Sequence, residues 1–264
     1  MEKPRFVIPL RVESNKGRIL NGLLVVVAVL LSFAYLQINL VEAFRSLPAF
    51  VGFFVQNFFP ANFTNIRSYL PLVAETVLFA IVGTYLSAFL AFVCGVLMSE
   101  QTNPYPLVRT SVRMVISFLR NIPVLVWASL FVYIFGIGNM VGLLALTVAT
   151  LGFLARSYAD SIDEIGSSKL EALRAAGASY WQILFHGLIP EFIPSWINWT
   201  LFSFEINIRA SSILGMVGAG GMGIMIQTNI RLFKYREAFA LIILLVLLVL
   251  LTEFAVNQLR KRIA

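Results

Sequence analysis

Six long apolar stretches constrain the fold of this sequence more than any other feature. Hydrophobic residues make up 59% of its 264 residues and charged residues only 12%, whereas a soluble domain carries about 25% charged residues. A helix crosses the hydrocarbon core with about 20 apolar residues, and lipid offers no partners to open strands. We therefore predict an all-α integral membrane protein with six transmembrane helices. The predicted spans are 19–40, 72–98, 108–135, 140–158, 188–214 and 238–256, and Arg120, Asn121 and Pro123 interrupt the third.

The distribution of basic residues predicts the orientation of these spans. Fourteen of the twenty Lys and Arg residues fall on one side of the predicted membrane and six on the other. Because cytoplasmic loops are enriched in Lys and Arg, both termini and the segment 159–187 are predicted to be cytoplasmic. We expect a cytoplasmic N-terminal segment at 1–18 and a single transmembrane domain at 19–264. An amphipathic helix on the outer surface is expected within 42–70.

Several classes of function find no support in the sequence. Cys94 is the only cysteine and His186 the only histidine, so neither an intrachain disulfide nor a metal site is predicted. No Ser-His-Asp, paired-carboxylate or phosphate-loop pattern is present, so we predict no enzymatic activity and no cofactor bound by this chain. The net charge of +7 is attributed to membrane topology and not to nucleic acid binding.

A short polar segment interrupts the apolar pattern between the fourth and fifth spans. Ser168 and Glu171 fit a capping box, which predicts a helix at 169–176. Gly177 suits the left-handed residue that ends a helix. From these residues alone, the segment is either an ordinary amphipathic loop or a helix that a cytoplasmic partner binds.

The spacing of this segment resembles the EAA loop of bacterial ABC-importer permeases. That family shows Glu-Ala-Ala, three residues, Gly, nine residues and then Ile-x-Leu-Pro, and this chain matches at Glu171, Ala172, Gly177 and Pro190. It departs from the pattern with Leu173, Gly187 and Ile189. The resemblance implies that the loop at about 160–190 holds a coupling helix, which docks on a cytoplasmic ATPase. The residues expected to serve this docking are Ser168, Leu170, Glu171, Ala172, Arg174 and Gly177.

A second segment narrows the resemblance to phosphonate-type permeases. Residues 204–210 read FEINIRA and residues 215–223 read GMVGAGGMG, which is similar to the Phe-Glu-x-Asn-x-Arg run and glycine block of that family. Methionine-type permeases share the glycine block. The resemblance covers about 57–264 and implies a type I ABC importer permease fold that carries phosphonate or related phosphorus oxyanions. Phosphate, phosphite and methionine remain alternative substrates.

Charged and irregular positions within the spans are candidates for the translocation path. Glu205 and Arg209 are one helical turn apart and can pair, in the outer half of their helix by count from Pro190. Arg209 either contacts an anion or only holds two helices together. Asn207 faces differently and either bonds across a dimer or faces the path. The candidate path or gate residues are Arg120, Glu205, Asn207, Arg209, Gly218, Gly220 and Gly221.

The resemblance also implies the partners and the location. It implies a homodimer in the bacterial inner membrane, with two cytoplasmic ATPase subunits that bind ATP and Mg. An extracytoplasmic phosphonate-binding protein would deliver the substrate. An ion-driven secondary transporter is the rival interpretation, but it would be expected to show internal repeats with paired broken helices, and we find no convincing repeat.

Overall fold

The computed structural model describes residues 15–165 and 167–263, without the side chains of residues 15, 16, 167, 168, 170 and 263. The described residues are mainly helical, and no strand is present among them. A π-helical turn at Ile183–Leu188 leads into α9. The helices are α1 (Asn15–Tyr35), α2 (Leu40–Phe58), α3 (Ile66–Met98), α4 (Pro106–Asn121), α5 (Val124–Phe135), α6 (Asn139–Glu164), α7 (Ser167–Ala175), α8 (Tyr180–Gln182), α9 (Ile189–Met216), α10 (Gly221–Arg231) and α11 (Tyr235–Ile263).

The chain divides into two compact units, Met1–Gln56 and Asn57–Ala264. In the first unit, α1 has 21 residues, which gives a length of about 31 Å and matches the hydrocarbon core. The following helix, α2, is amphipathic, because Glu42 and Arg45 lie on one face and Phe44 and Val51 on the other. The helix expected within 42–70 is therefore present, while a single membrane domain at 19–264 stays a prediction.

The membrane spans agree with the prediction from the sequence, including the interruption of the third. Five helical stretches are long and apolar enough to cross a bilayer, and α4 with α5 would make a sixth if this bent pair is one span. The two helices meet at 87°, and α5 has only 12 residues, about 18 Å against a core of about 30 Å. The expected break at Pro123 is confirmed, because proline disfavours helix at Ile122, which is extended (φ −90°, ψ 121°). The third predicted span is therefore a bent pair of helices, with the bend where the sequence is interrupted.

The core of the second unit is a bundle of α3, α6 and α9. The parallel helices α3 and α6 pack closely where small residues allow it, with Gly83 against Leu146 and Gly95 against Tyr158. The antiparallel α9 places Phe192 beside Tyr158, with ring centroids 5.5 Å apart. The ends of α3 and α6 therefore lie beside the start of α9. The segment that contains α7 joins α6 to α9 at this end of the bundle, which we call the α7 end.

Candidate functional site

The helix α7 ends as the sequence predicts, at a glycine in the left-handed region. Gly177 has φ +83°, its N–H donates to the Arg174 carbonyl at 3.0 Å, and the Ala178 N–H donates to the Leu173 carbonyl at 3.1 Å. These two bonds form a Schellman motif, in which Leu173 and Ala178 are the expected apolar partners. Both pack against the buried cluster of the bundle. The end of α7 is therefore anchored to the membrane-spanning helices.

The start of α7 differs from the prediction. The helix begins at Ser167, two residues before the predicted start, and the side chain of Ser168 lies outside the described residues, so the capping box at Ser168 and Glu171 stays a prediction. A capping box forms at α8, where the Ser179 N–H donates to Gln182 Oε1 at 2.8 Å and the Gln182 N–H donates to Ser179 Oγ at 3.4 Å. The pattern Ser-x-x-Gln was readable in the sequence, and it lies where the chain turns.

The α7 end presents exposed side chains of mixed character. Glu171, Ala172 and Arg174 are exposed on α7, and the side chain of Leu170 lies outside the described residues. Lys169 Nζ pairs with Glu191 Oε1 at 2.5 Å, which ties α7 to the first turn of α9. Trp181 and Phe185 continue the surface, with 63% and 55% of their area exposed. We call Glu171, Ala172, Arg174, Trp181 and Phe185 the α7 surface.

A polar network that the sequence analysis missed holds the helix ends beside α7. Asp163, near the end of α6, accepts from Ser99 Oγ at 2.6 Å and from the Glu100 N–H at 2.8 Å. Arg113 of α4 pairs with the same carboxylate at 3.2 Å and donates to the Met98 carbonyl at 3.0 Å. Because these bonds join α3, α4 and α6, they hold together the helix ends beside which α7 begins.

The Glu205–Arg209 pair is present and also includes a residue of α11. Glu205 Oε1 lies 3.9 Å from Arg209 and its Oε2 lies 3.9 Å from Arg260. Arg260 also lies over the Phe202 ring, 5.8 Å from its centroid. The geometry favours a structural role, in which the carboxylate links α9 to α11 between two cations.

The bounds of α9 agree with the predicted position of the pair along the helix. Counted from the α7 end, Glu205 and Arg209 lie beyond the midpoint of Ile189–Met216. Arg260 lies in the last turn of α11, where the positive-inside pattern predicts the cytoplasmic surface. The side of the membrane that this half of α9 faces stays a prediction.

Asn207 is buried between three helices of the same chain. Its Nδ2 donates to Thr84 Oγ1 of α3 at 2.8 Å, and its Oδ1 accepts from Thr150 Oγ1 of α6 at 2.9 Å. Only 3% of the residue is exposed. The described bonds run within one subunit and not across a dimer, so the amide acts as a clamp that sets the register of α3, α6 and α9.

Replacing Asn207 by leucine is expected to destabilise the bundle by roughly 1–3 kcal/mol, because two buried hydroxyls lose a partner. The thermal midpoint in detergent, followed by size-exclusion chromatography, should fall by several degrees. Asn198→Leu is the matched control on α9, since the Asn198 side chain is half-buried and has no hydrogen-bond partner within the described residues. Equal midpoints for the two variants would contradict the clamp.

Arg120 stands apart from the other candidate residues. It is exposed at the end of α4, and its backbone packs on Gly152 of α6, where an added Cβ would lie 2.8 Å from the Arg120 nitrogen. No ion pair to Arg120 occurs in the part of the chain that the structure describes. It is therefore an unpaired cation beside α6, separate from the Glu205–Arg209 pair.

The glycine block forms a tight hairpin between α9 and α10. A Cβ added at Gly223 would overlap the Ser212 carbonyl oxygen and lie 2.8 Å from the Gly215 Cα. Gly218, Gly220 and Gly221 have φ of +101°, +90° and +69°, a region that L side chains disfavour. The expected close approach and irregular backbone are both present. A gating role of these glycines stays a prediction.

The sequence of this chain is similar to those of known membrane transport proteins. The sequence pattern of the family described as "binding-protein-dependent transport system inner membrane component" matches residues 91–264. The phosphite transport system permease protein PtxC of Stutzerimonas stutzeri is 32% identical over 202 residues, which cover 76% of this chain and 74% of that protein.

Two further similarities concern a second relative and a solved structure. The phosphate-import permease protein PhnE of Mycolicibacterium smegmatis is 33% identical over 233 residues, 88% of this chain but only 44% of that protein. A chain of the MetNI methionine ABC transporter, solved in inward-facing conformations, superposes with a TM-score of 0.65 at 26% identity. That match covers 74% of this chain and 96% of the solved one.

Proposed function

Because the chain belongs to the family of binding-protein-dependent transport system inner membrane components, we propose that it forms the membrane path for phosphonate or related phosphorus oxyanions. The chain is a multi-pass permease subunit of an ABC importer. The two relatives described above are named for phosphite and phosphate, and the FEINIRA run supports the same substrate class.

The observation that carries the coupling role is the placement of α7. An exposed nine-residue helix is anchored by its Schellman turn and by the Lys169–Glu191 pair at the end where α6 stops and α9 begins. We propose that two cytoplasmic ATPase subunits, which bind ATP and Mg, dock on the α7 surfaces of a homodimer. Their closure would move α7, and the Glu191 contact would transmit this movement to α9. Both termini would then be cytoplasmic, and an extracytoplasmic binding protein would deliver the anion.

Methionine is the second candidate substrate, because the methionine transporter chain shares the fold at 26% identity. The test is ATP hydrolysis by this permease in lipid nanodiscs with its ATPase and binding protein, as phosphonates, phosphite, phosphate and methionine are added in turn. We expect stimulation by a phosphonate above the ligand-free rate. Stimulation by methionine alone would overturn the phosphorus oxyanion assignment, and failure of an ATPase to co-purify would overturn the coupling role.

A further inference from the structure

A groove runs between α5, α6 and α9 at the level of the Asn207 clamp. Its volume is about 230 Å³. Its wall is mainly apolar, and the side chains of Thr150, Ser203 and Asn207 add a few polar groups to it. The residues that form it include Val124 of α5, Thr150 and Phe153 of α6, and Ser203, Ile206 and Asn207 of α9.

Ser203 is the polar residue of this groove whose hydrogen bonding is incomplete. It is 2% exposed, and its Oγ has no hydrogen-bond partner within residues 15–165 and 167–263. A buried hydroxyl without a partner costs about 1–3 kcal/mol, and most buried side-chain polar atoms in proteins have one. Thr150 and Asn207, in the same groove, satisfy each other. The Ser203 hydroxyl can therefore donate a hydrogen bond to a ligand in the groove.

Neither Arg120 nor Arg209 lines the groove, but Arg120 precedes the groove residue Val124 by one helical turn's worth of sequence. Two residues of α-helix turn the chain by about 200°, so Glu205 points away from both Ser203 and Asn207, and it engages Arg209. The Arg120 backbone instead packs on Gly152, one residue before the groove residue Phe153. Arg120 is exposed and supplies a guanidinium that no described carboxylate neutralises.

We propose that this groove is a transient subsite for a phosphonate on its way across the membrane. The Ser203 hydroxyl donates to one phosphonate oxygen, the Arg120 guanidinium supplies the opposite charge, and Val124 and Ile206 contact the organic substituent. One cation and one neutral donor bind weakly, and a transport path needs weak binding for release. This inference rests on the proposed function and names the residues through which it would act.

The test compares the number of methylphosphonate ions transported per ATP hydrolysed by proteoliposomes that contain permease, ATPase and loaded binding protein. In Ser203→Ala the ratio should fall about 2- to 10-fold, the equivalent of one hydrogen bond. In Arg120→Gln it should fall about tenfold or more, and Arg120→Lys should recover part of the loss. Ser212→Ala is the matched control, because Ser212 lies on the opposite face of α9 and its hydroxyl already donates to the Ile208 carbonyl.

The outcomes separate the subsite from the proposed function. If methylphosphonate stimulates ATP hydrolysis in the unmodified complex but Ser203→Ala and Arg120→Gln keep the unmodified ratio, the subsite is wrong and the function stands. If no phosphorus oxyanion stimulates the unmodified complex, the proposed function itself fails. Each variant is first shown to assemble with the ATPase by size-exclusion chromatography.

Discussion

Replacing Glu171 by lysine is expected to abolish coupled transport while leaving the permease inserted in the membrane. Glu171 is exposed on α7, and no ion pair within the described residues holds it, so the change should cost the permease itself little stability. A partner that binds the α7 surface would meet a reversed charge, which costs an interface several kcal/mol. We expect ATPase co-purification, and phosphonate-stimulated hydrolysis, to fall at least about 100-fold.

The matched control is Glu164→Lys, which reverses an exposed charge at the end of α6, outside α7. It should retain most of the co-purified ATPase. If Glu171→Lys co-purified with the ATPase as well as this control and hydrolysed ATP normally, α7 would not be the docking element. An ion-driven transporter would also keep its transport in the Glu171 variant, so the same pair of proteins separates the two transport classes.

Replacing Gly223 by alanine is expected to prevent the α9–α10 hairpin from closing. Alanine is the better helix former by about 0.5–1 kcal/mol, so intrinsic propensity would favour the variant. The added methyl group, however, would overlap the Ser212 carbonyl and crowd the Gly215 Cα. Because these neighbours are backbone atoms that cannot rotate away, we expect a loss of about 3 kcal/mol or more. The yield of monodisperse protein and its thermal midpoint should both fall.

Gly52→Ala and Gly22→Ala serve as controls for this change, because nothing lies within 4 Å of a Cβ at either position. Both should leave the yield unchanged or slightly improved. A Gly223→Ala protein as stable as these controls would show that the two helices can separate without cost, and the close packing of the glycine block would then not be needed for folding.

Local features of the sequence predicted much of the fold. Apolar length identified the spans, Pro123 marked the break between α4 and α5, and Gly177 marked the end of α7. Each of these depends on the backbone of a few neighbouring residues or on the contrast between lipid and water. A short window of sequence contains this information, so these features can be predicted without knowledge of the tertiary structure.

Features that depend on contacts between distant segments were missed or misplaced. The partner of Glu205 on α11 is Arg260, and nothing near Glu205 in the sequence indicates it. The sequence near Asp163 likewise does not indicate its partners on α3 and α4. That the Ser203 hydroxyl lacks a hydrogen-bond partner is apparent only from the packing of α6 against α9. Asn207 looked like a path residue because polar groups are costly in membranes, but two threonines of neighbouring helices satisfy its amide.

The most direct test of the central claim is uptake of a radiolabelled phosphonate into proteoliposomes that contain this permease and its ATPase. Loaded binding protein is added outside and ATP with Mg is enclosed inside. The account predicts accumulation of the phosphonate in the lumen that requires both the enclosed ATP and the binding protein, and that is lost in Glu171→Lys. Uptake that proceeds without ATP, or accumulation that is unchanged in Glu171→Lys, would contradict it.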